Sequence, residues 1–261
     1  MRSLNNLMKR VGQKFFSIIP FRTWLLVEII CHRNLVKGWG ASSISQEVAA
    51  IKQLANEIGL VDLTCLDVGA NVGEWSLAFH KLAPHANIYC FEPSNGAFRQ
   101  LKQSIEGVDQ IFPFKTAIGN EEGEVIIYSV GPESGLNSLS KRRLNHFEIE
   151  MNAQEQVLIT TLDNWISLNH VSPKILKLDI EGHELAALQG ATKLLKSLSI
   201  IQFEFGGANI DTRTFFQDFW YLLTPLGFTF YRLGPKGLMP IVSYKESDEV
   251  FLTTNYFAVR S

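Results

Sequence analysis

Four short polar clusters in this 261-residue chain carry residue types suited to ligand chemistry. In the first, the apolar run ending in Asp67-Val68 opens into Gly69-Ala70-Asn71-Val72-Gly73, and a helical pattern begins at Glu74. A strand-to-helix turn of this kind presents backbone groups and a helix N-terminus to a ligand that comes close to the main chain. Gly69 and Gly73 permit that approach because neither carries a Cβ. The same pattern also serves an ordinary tight turn with no ligand. In the second cluster, Phe91-Glu92-Pro93, the acid lies 19 positions after Gly73. That is close to the roughly 20-residue spacing at which an acid at the end of the second strand accepts from ribose hydroxyls. The third, Thr116-Ala117, is small enough to border a planar base. The fourth, Lys177-Leu178-Asp179-Ile180-Glu181-Gly182-His183-Glu184, brings three acids, a histidine and a lysine to one strand exit.

Positioning these clusters requires alternating strands and helices. Apolar residues at Ile44, Val48, Ile51 and Ile58 mark a helix closed by Gly59. Leu63–Val68, Asn87–Phe91, Ile111–Ile118, Lys174–Leu178 and Ile200–Phe205 read as strands, and the short, largely apolar Leu63–Val68 suits a central parallel strand covered on both faces. Helical spacing falls between them, and the aromatic run Phe215, Phe216, Phe219, Trp220 reads as core. The expected architecture is a doubly wound α/β sheet, whose ligands bind outside the carboxyl ends of the strands. Two features depart from plain alternation. Short β segments at Glu124–Val130 and Gln156–Thr161 surround a polar loop, Gly131–Arg143, in which Asn137, Ser138, Lys141, Arg142 and Arg143 are candidate substrate-facing residues. The stretch Gly234–Leu252 reads as a long loop able to cover the crevice, between strand-like runs at Phe228–Leu233 and Asn255–Val259.

Composition narrows the class. Lys+Arg 24 against Asp+Glu 26 gives a formal charge of −2, with no broad footprint for nucleic acid. Cys31, Cys65 and Cys90 form no CxxC pair, and a cytoplasmic, reducing setting is expected. Phe15–Cys31 is strongly apolar, but Pro20, Arg22 and Glu28 interrupt it too often for a span of about 20 apolar residues. We read residues 1–60 as an N-terminal helical appendage packing on the main domain or on a second copy, as in a homodimer, and 61–261 as that domain. A basic segment lying on a membrane surface is the less favoured use of the same residues.

Together, Leu66–Gly73, Phe91-Glu92-Pro93, Thr161-Leu162-Asp163 and Lys177–Glu184, in this order and spacing, resemble the FkbM-type S-adenosylmethionine-dependent methyltransferases over roughly Leu63–Arg260. The resemblance implies a Rossmann-like class I methyltransferase fold with seven strands, the last antiparallel. It also implies methyl transfer from S-adenosylmethionine to a hydroxyl of a sugar, glycan or natural product. Under it, Asp67, Gly69, Asn71 and Gly73 receive the amino-acid end of the cofactor, Glu92 the ribose, and Thr116 and Ala117 the base. Asn71 stands where dinucleotide-binding turns place their middle glycine. Candidate bases for the acceptor are His183, Asp179 and Glu181, with Lys177 a candidate orienting cation; Glu181 and Glu184 also suit a helix N-terminus. Asp179, Glu181 and His183, with Glu204 from the neighbouring strand, also permit an oxygen-rich site for a divalent cation such as Mg²⁺, but nothing in the sequence requires one. A nucleotide-cofactor oxidoreductase and a non-catalytic cofactor-binding relative are the alternatives.

Overall fold

The computed structural model describes residues 20–38, 43–131 and 137–261. The remainder of the N-terminal helices expected before Pro20, and part of the polar loop at 132–136, lie outside the described residues. The chain divides into two compact units, residues 1–37 and 38–261. In the first, helix α1 covers Phe21–Asn34.

The second unit begins with α2 (Ile44–Glu57), β1 (Cys65–Val68), α3 (Glu74–Leu82), β2 (Ile88–Phe91), α4 (Asn95–Ser104) and β3 (Ile111–Phe114). Helix α2 thus falls in the second unit. Val48, Ile51, Leu54 and Ala55 of α2 are buried with Trp75 and Phe79 of α3. Glu47 of α2 accepts from the buried Gln202 and Asn255 side chains at 2.8 and 3.2 Å, fixing the helix to the sheet through a polar bond as well.

The chain then builds β4 (Ala117–Gly119), β5 (Gly123–Ser129), β6 (Asn137–Ser138) and β7 (Ala153–Thr161). α5 (Leu162–Asn169), β8 (Ile175–Leu178), α6 (Glu184–Gln189), β9 (Ile200–Phe205), α7 (Gly207–Thr212) and α8 (Phe216–Leu223) follow. The last elements are β10 (Thr229–Gly234), β11 (Gly237–Ile241) and β12 (Thr254–Val259). The main sheet has the order β11-β10-β12-β9-β8-β1-β2-β3. Strands β3, β2, β1, β8 and β9 are parallel, and β12 runs antiparallel to both β9 and β10. This is the expected doubly wound α/β arrangement with its last strand antiparallel.

Two expectations are corrected. The sheet has eight strands, not seven, because Gly237–Ile241 forms an edge strand paired to β10. Pro240 lies inside it, which a strand tolerates only where one side needs no partner. The strand expected over Ile111–Ile118 breaks into β3 and β4, and β4 joins a second, four-stranded sheet of order β4-β7-β5-β6. The excursion between the third and fourth parallel strands is thus a small sheet of its own.

Helices cover both faces of the main sheet. On one side Trp165 of α5, Leu188 of α6 and Phe216, Phe219 and Leu223 of α8 pack on the strands; α2, α3 and α4 cover the other. Phe219 is fully buried and stacks on Phe203 of β9 with ring centroids 4.5 Å apart. Truncating such a ring removes its apolar burial and leaves a cavity that neighbours fill only in part. Phe219→Ala is expected to lower unfolding stability by about 3–5 kcal/mol, read as a reduced denaturant midpoint with an unchanged slope.

Candidate active site

At the centre of the main sheet, Asp67 of β1 sits opposite Lys177 of β8 in the strand register. Both side chains are buried, at 0% and 4% exposure, and Lys177 Nζ lies 3.0 Å from Asp67 Oδ1. Ser76 Oγ of α3 donates to Asp67 Oδ2 at 2.6 Å. The same ammonium donates to the Gly69 carbonyl at 3.0 Å and lies 3.6 Å from Asp179 Oδ2. Burial alone would favour the neutral amine, but the carboxylates of Asp67 and Asp179 outweigh it and hold Lys177 charged, above its ordinary range. One cation thus ties the end of β1, the glycine turn and the end of β8 together.

The turn is folded tightly onto its neighbours. Gly69 has φ +80°, and a Cβ there would fall 1.8 Å from the Asp179 carbonyl oxygen, so no side chain fits. Four of its five backbone donors are spent internally. The N–H groups of Gly69 and Ala70 donate to Phe91 O, that of Gly73 to Ala70 O, and that of Asn71 to Glu92 Oε2. Asn71 takes the left-handed φ of 47°, a conformation asparagine tolerates better than most residues.

Above the turn lies a cavity of about 240 Å³. The wall includes Gly69, Asn71, Glu92, Thr116, Ala117, Asp179 and Glu181 from the sequence-derived set, together with Asn137 and Ser138. Phe91, Ile118, Ile127 and Leu139 give it apolar surface, the last two from the small sheet and its loop. Four carboxylates line it, those of Glu92, Asp179, Glu181 and Glu204, and among the described residues no lysine or arginine does. Glu92 is pushed up to about 7 by burial, against which the N–H groups of Ser94 and Asn71 favour its charged form. Glu204 is pushed up to about 9 by burial and by the nearby charges of Asp179, Glu181 and Glu184. Asp179 is the most open of the acids in ion pairs, with its side chain 45% exposed. Glu181 is held in the left-handed region at φ 53° while its carboxylate pairs with Arg142 and its carbonyl accepts from Ser138 Oγ.

Several candidates stand elsewhere. Asp67 and Lys177 are beneath the turn and off the cavity wall, and Gly73 packs on Leu101 of α4. His183 lines a neighbouring depression that shares only Leu139 with the cavity; its Nε2 meets Ser140 Oγ at 3.0 Å. Burial pushes His183 down to about 4, so the ring is neutral near pH 7. Glu184 is buried under the strand exit, where Oε1 accepts from the Ile180 and Gly182 N–H groups, and burial pushes it up to about 7. Arg142 is engaged with Glu181 and Asp211. The stretch Gly234–Leu252 does not cover the cavity; Phe251 packs on Phe205 and Phe215, and Tyr244 donates to Glu249. Glu204, which the sequence offers beside Asp179 and Glu181 from the neighbouring strand, does line the wall with them, whereas His183 does not.

Residues 67–230 match the family described as the methyltransferase FkbM domain. The chain is 23% identical over 178 residues to the 2-O-methyltransferase NoeI of Sinorhizobium fredii, covering 63% of this chain and 73% of that protein. It is 25% identical over 167 residues to the hexuronic acid methyltransferase AglP of Haloferax volcanii, covering 62% of this chain and 64% of that one. Among solved structures it is similar to the FkbM methyltransferase of Methylobacillus flagellatus, with a TM-score of 0.45 and 15% identity over 89% of this chain and 59% of the other.

Removing Lys177 strands a buried carboxylate. Lys177→Met is expected to cost about 3–5 kcal/mol of stability, whereas Asp67→Asn/Lys177→Met recovers most of that loss because no unpaired charge remains; chemical denaturation of the single and double variants measures both. A second expectation concerns pH. Glu92, Glu184 and Glu204 have folded values raised above the ordinary 4.5. The unfolded chain therefore releases these protons first, and the stabilisation present in acid is lost as pH rises through the folded values. In ligand-free protein the thermal midpoint is expected to fall between about pH 5 and pH 9, and Glu204→Gln to flatten the upper part of that fall.

Proposed function

The chain belongs to the FkbM methyltransferase family, and from that premise we propose that it methylates a hydroxyl of a sugar or glycan acceptor. S-adenosylmethionine is its methyl donor, supplying an electrophilic methyl group on a sulfonium. The observation that carries the fit of this cofactor is the charge of the cavity. A wall of carboxylates with no lysine or arginine lining it among the described residues suits a ligand bearing sulfonium and ammonium charges, and it repels a pyrophosphate. Four of the five turn amides a dinucleotide would use are already bonded within the protein, which counts against the oxidoreductase alternative.

In this reading Glu92 holds the ribose. Each of its oxygens accepts one backbone N–H and retains lone-pair capacity for a hydroxyl. Thr116, Ala117 and Ile118 border the base, and Gly69 and Asn71 the methionine end. Asp67 and Lys177 act as positioning residues beneath the turn. Asp179 is the base: it faces the cavity and is the most open carboxylate of its cluster. Its carboxylate takes the proton of the acceptor hydroxyl. Glu204, with its raised value, is protonated at neutral pH and can donate to an acceptor oxygen. The names of the two relatives, a 2-O-methyltransferase and a hexuronic acid methyltransferase, support the acceptor class.

Calorimetry with S-adenosylhomocysteine is the direct test of the donor site, with Glu92→Ala expected to weaken binding at least tenfold, about 1.4 kcal/mol. With a sugar acceptor, Asp179→Asn is expected to lower kcat by about 10²–10⁴ while retaining cofactor binding. His183→Ala, which alters the neighbouring depression, is expected to keep kcat within severalfold. The reverse pattern would move the base to His183.

A further inference from the structure

The first unit carries a feature that methyl transfer does not use. Helix α1 leaves Phe21, Leu25, Leu26, Val27, Ile29 and Ile30 exposed, with Phe21 at 74%, Leu26 at 61% and Ile30 at 57%. Exposed apolar surface on this scale marks a face that another body covers. The helix is about 21 Å long, too short for a hydrocarbon core of about 30 Å. No helix among the described residues is long and apolar enough to cross a membrane.

Charge selects the covering body. Residues 1–37 hold seven of the 24 basic residues and one of the 26 acidic ones, a formal +6, which leaves 17 basic and 25 acidic residues, −8, on the rest of the chain. Two copies of the +6 unit repel each other, which disfavours pairing of this face with itself. A negatively charged bilayer surface attracts the first unit and repels the second. Apolar side chains beside basic ones are what a helix needs to rest at the boundary between headgroups and acyl chains. We propose that residues 1–37 are a membrane-surface anchor, with α1 lying in the interface of a bilayer containing anionic lipid. The arrangement places the enzyme where acceptors presented at that surface are concentrated, and it holds whether or not the acceptor is a sugar.

Co-sedimentation of the full chain with phosphatidylcholine vesicles, with and without phosphatidylglycerol, tests it. Binding to the phosphatidylglycerol vesicles, severalfold weaker on phosphatidylcholine alone and reduced by high salt, supports the anchor. The variant Leu26→Glu/Ile30→Glu is expected to lower vesicle partitioning about tenfold or more, and Arg22→Glu to lower it only on the anionic vesicles. Both are expected to retain S-adenosylhomocysteine binding, which shows that the second unit remains folded. A full chain left in the supernatant with anionic vesicles overturns the proposal. So does equal binding to both vesicle types, or unchanged binding by the Leu26→Glu/Ile30→Glu variant. A dimer in sedimentation equilibrium that this variant splits would assign the face to a second copy and likewise overturn it.

Discussion

The buried ion pair between Lys177 and Asp67 is the constraint on which the site depends. A lysine in the middle of a parallel sheet, covered by helices, is costly to charge unless its partners compensate for the lost water. Here the compensation comes from the Asp67 carboxylate, the Gly69 carbonyl and the more distant Asp179. These groups belong to the two strand ends and the turn between them. The condition for burying the cation is therefore also the condition for building the cavity floor. Ser76 completes Asp67 from the first turns of α3, so the helix that follows the glycine turn is held by the same carboxylate.

With the one central cation committed below the floor, the wall above is left acidic. Glu92, Asp179, Glu181 and Glu204 repel one another, and burial adds to the cost of charging them together. Proteins relieve such stress by protonation, by cationic neighbours or by a ligand. Arg142 relieves Glu181, backbone amides relieve Glu92, and Glu204 keeps its proton. In the proposed reading, a positively charged cofactor supplies the remaining relief.

Much of this was legible in the sequence because it follows local rules. Short, largely apolar runs gave the parallel strands, and the glycine turn, Glu92 and the Asp179 exit fell on adjacent strand ends because a doubly wound sheet brings them there. What escaped depended on register and side-chain direction. Asp67 and Asp179 both close strands beside acids and glycines, yet the first points under the turn and the second into the cavity. Period-two alternation cannot resolve this in four-residue strands whose two faces are equally buried. His183 reads as a base from its type and neighbours, but the left-handed Glu181 and Gly182 turn the chain so that it lines the next depression. The edge strand β11 was hidden by Pro240, and α2 was separated from its sheet by sequence distance alone.

The small sheet explains why the donor is easier to read than the acceptor. In the proposed reading, donor contacts come from the ends of β1, β2 and β8, whose positions are fixed by the packing of the whole domain. Ile127, Asn137, Ser138 and Leu139 reach the same cavity from β5, β6 and the segment after them, on a sheet that packs through few buried side chains of its own: Ala117, Ile127, Val157 and Ile159. Changes there cost little core, so side chains facing the acceptor can vary without disturbing the turn that holds the methyl donor. Arg142 joins the two regions, because its pair with Glu181 anchors the loop between β6 and β7 to the strand exit that carries Asp179. An acceptor that displaces or contacts Arg142 would therefore act on the conformation of the Glu181 turn, and through it on the carboxylate two residues earlier.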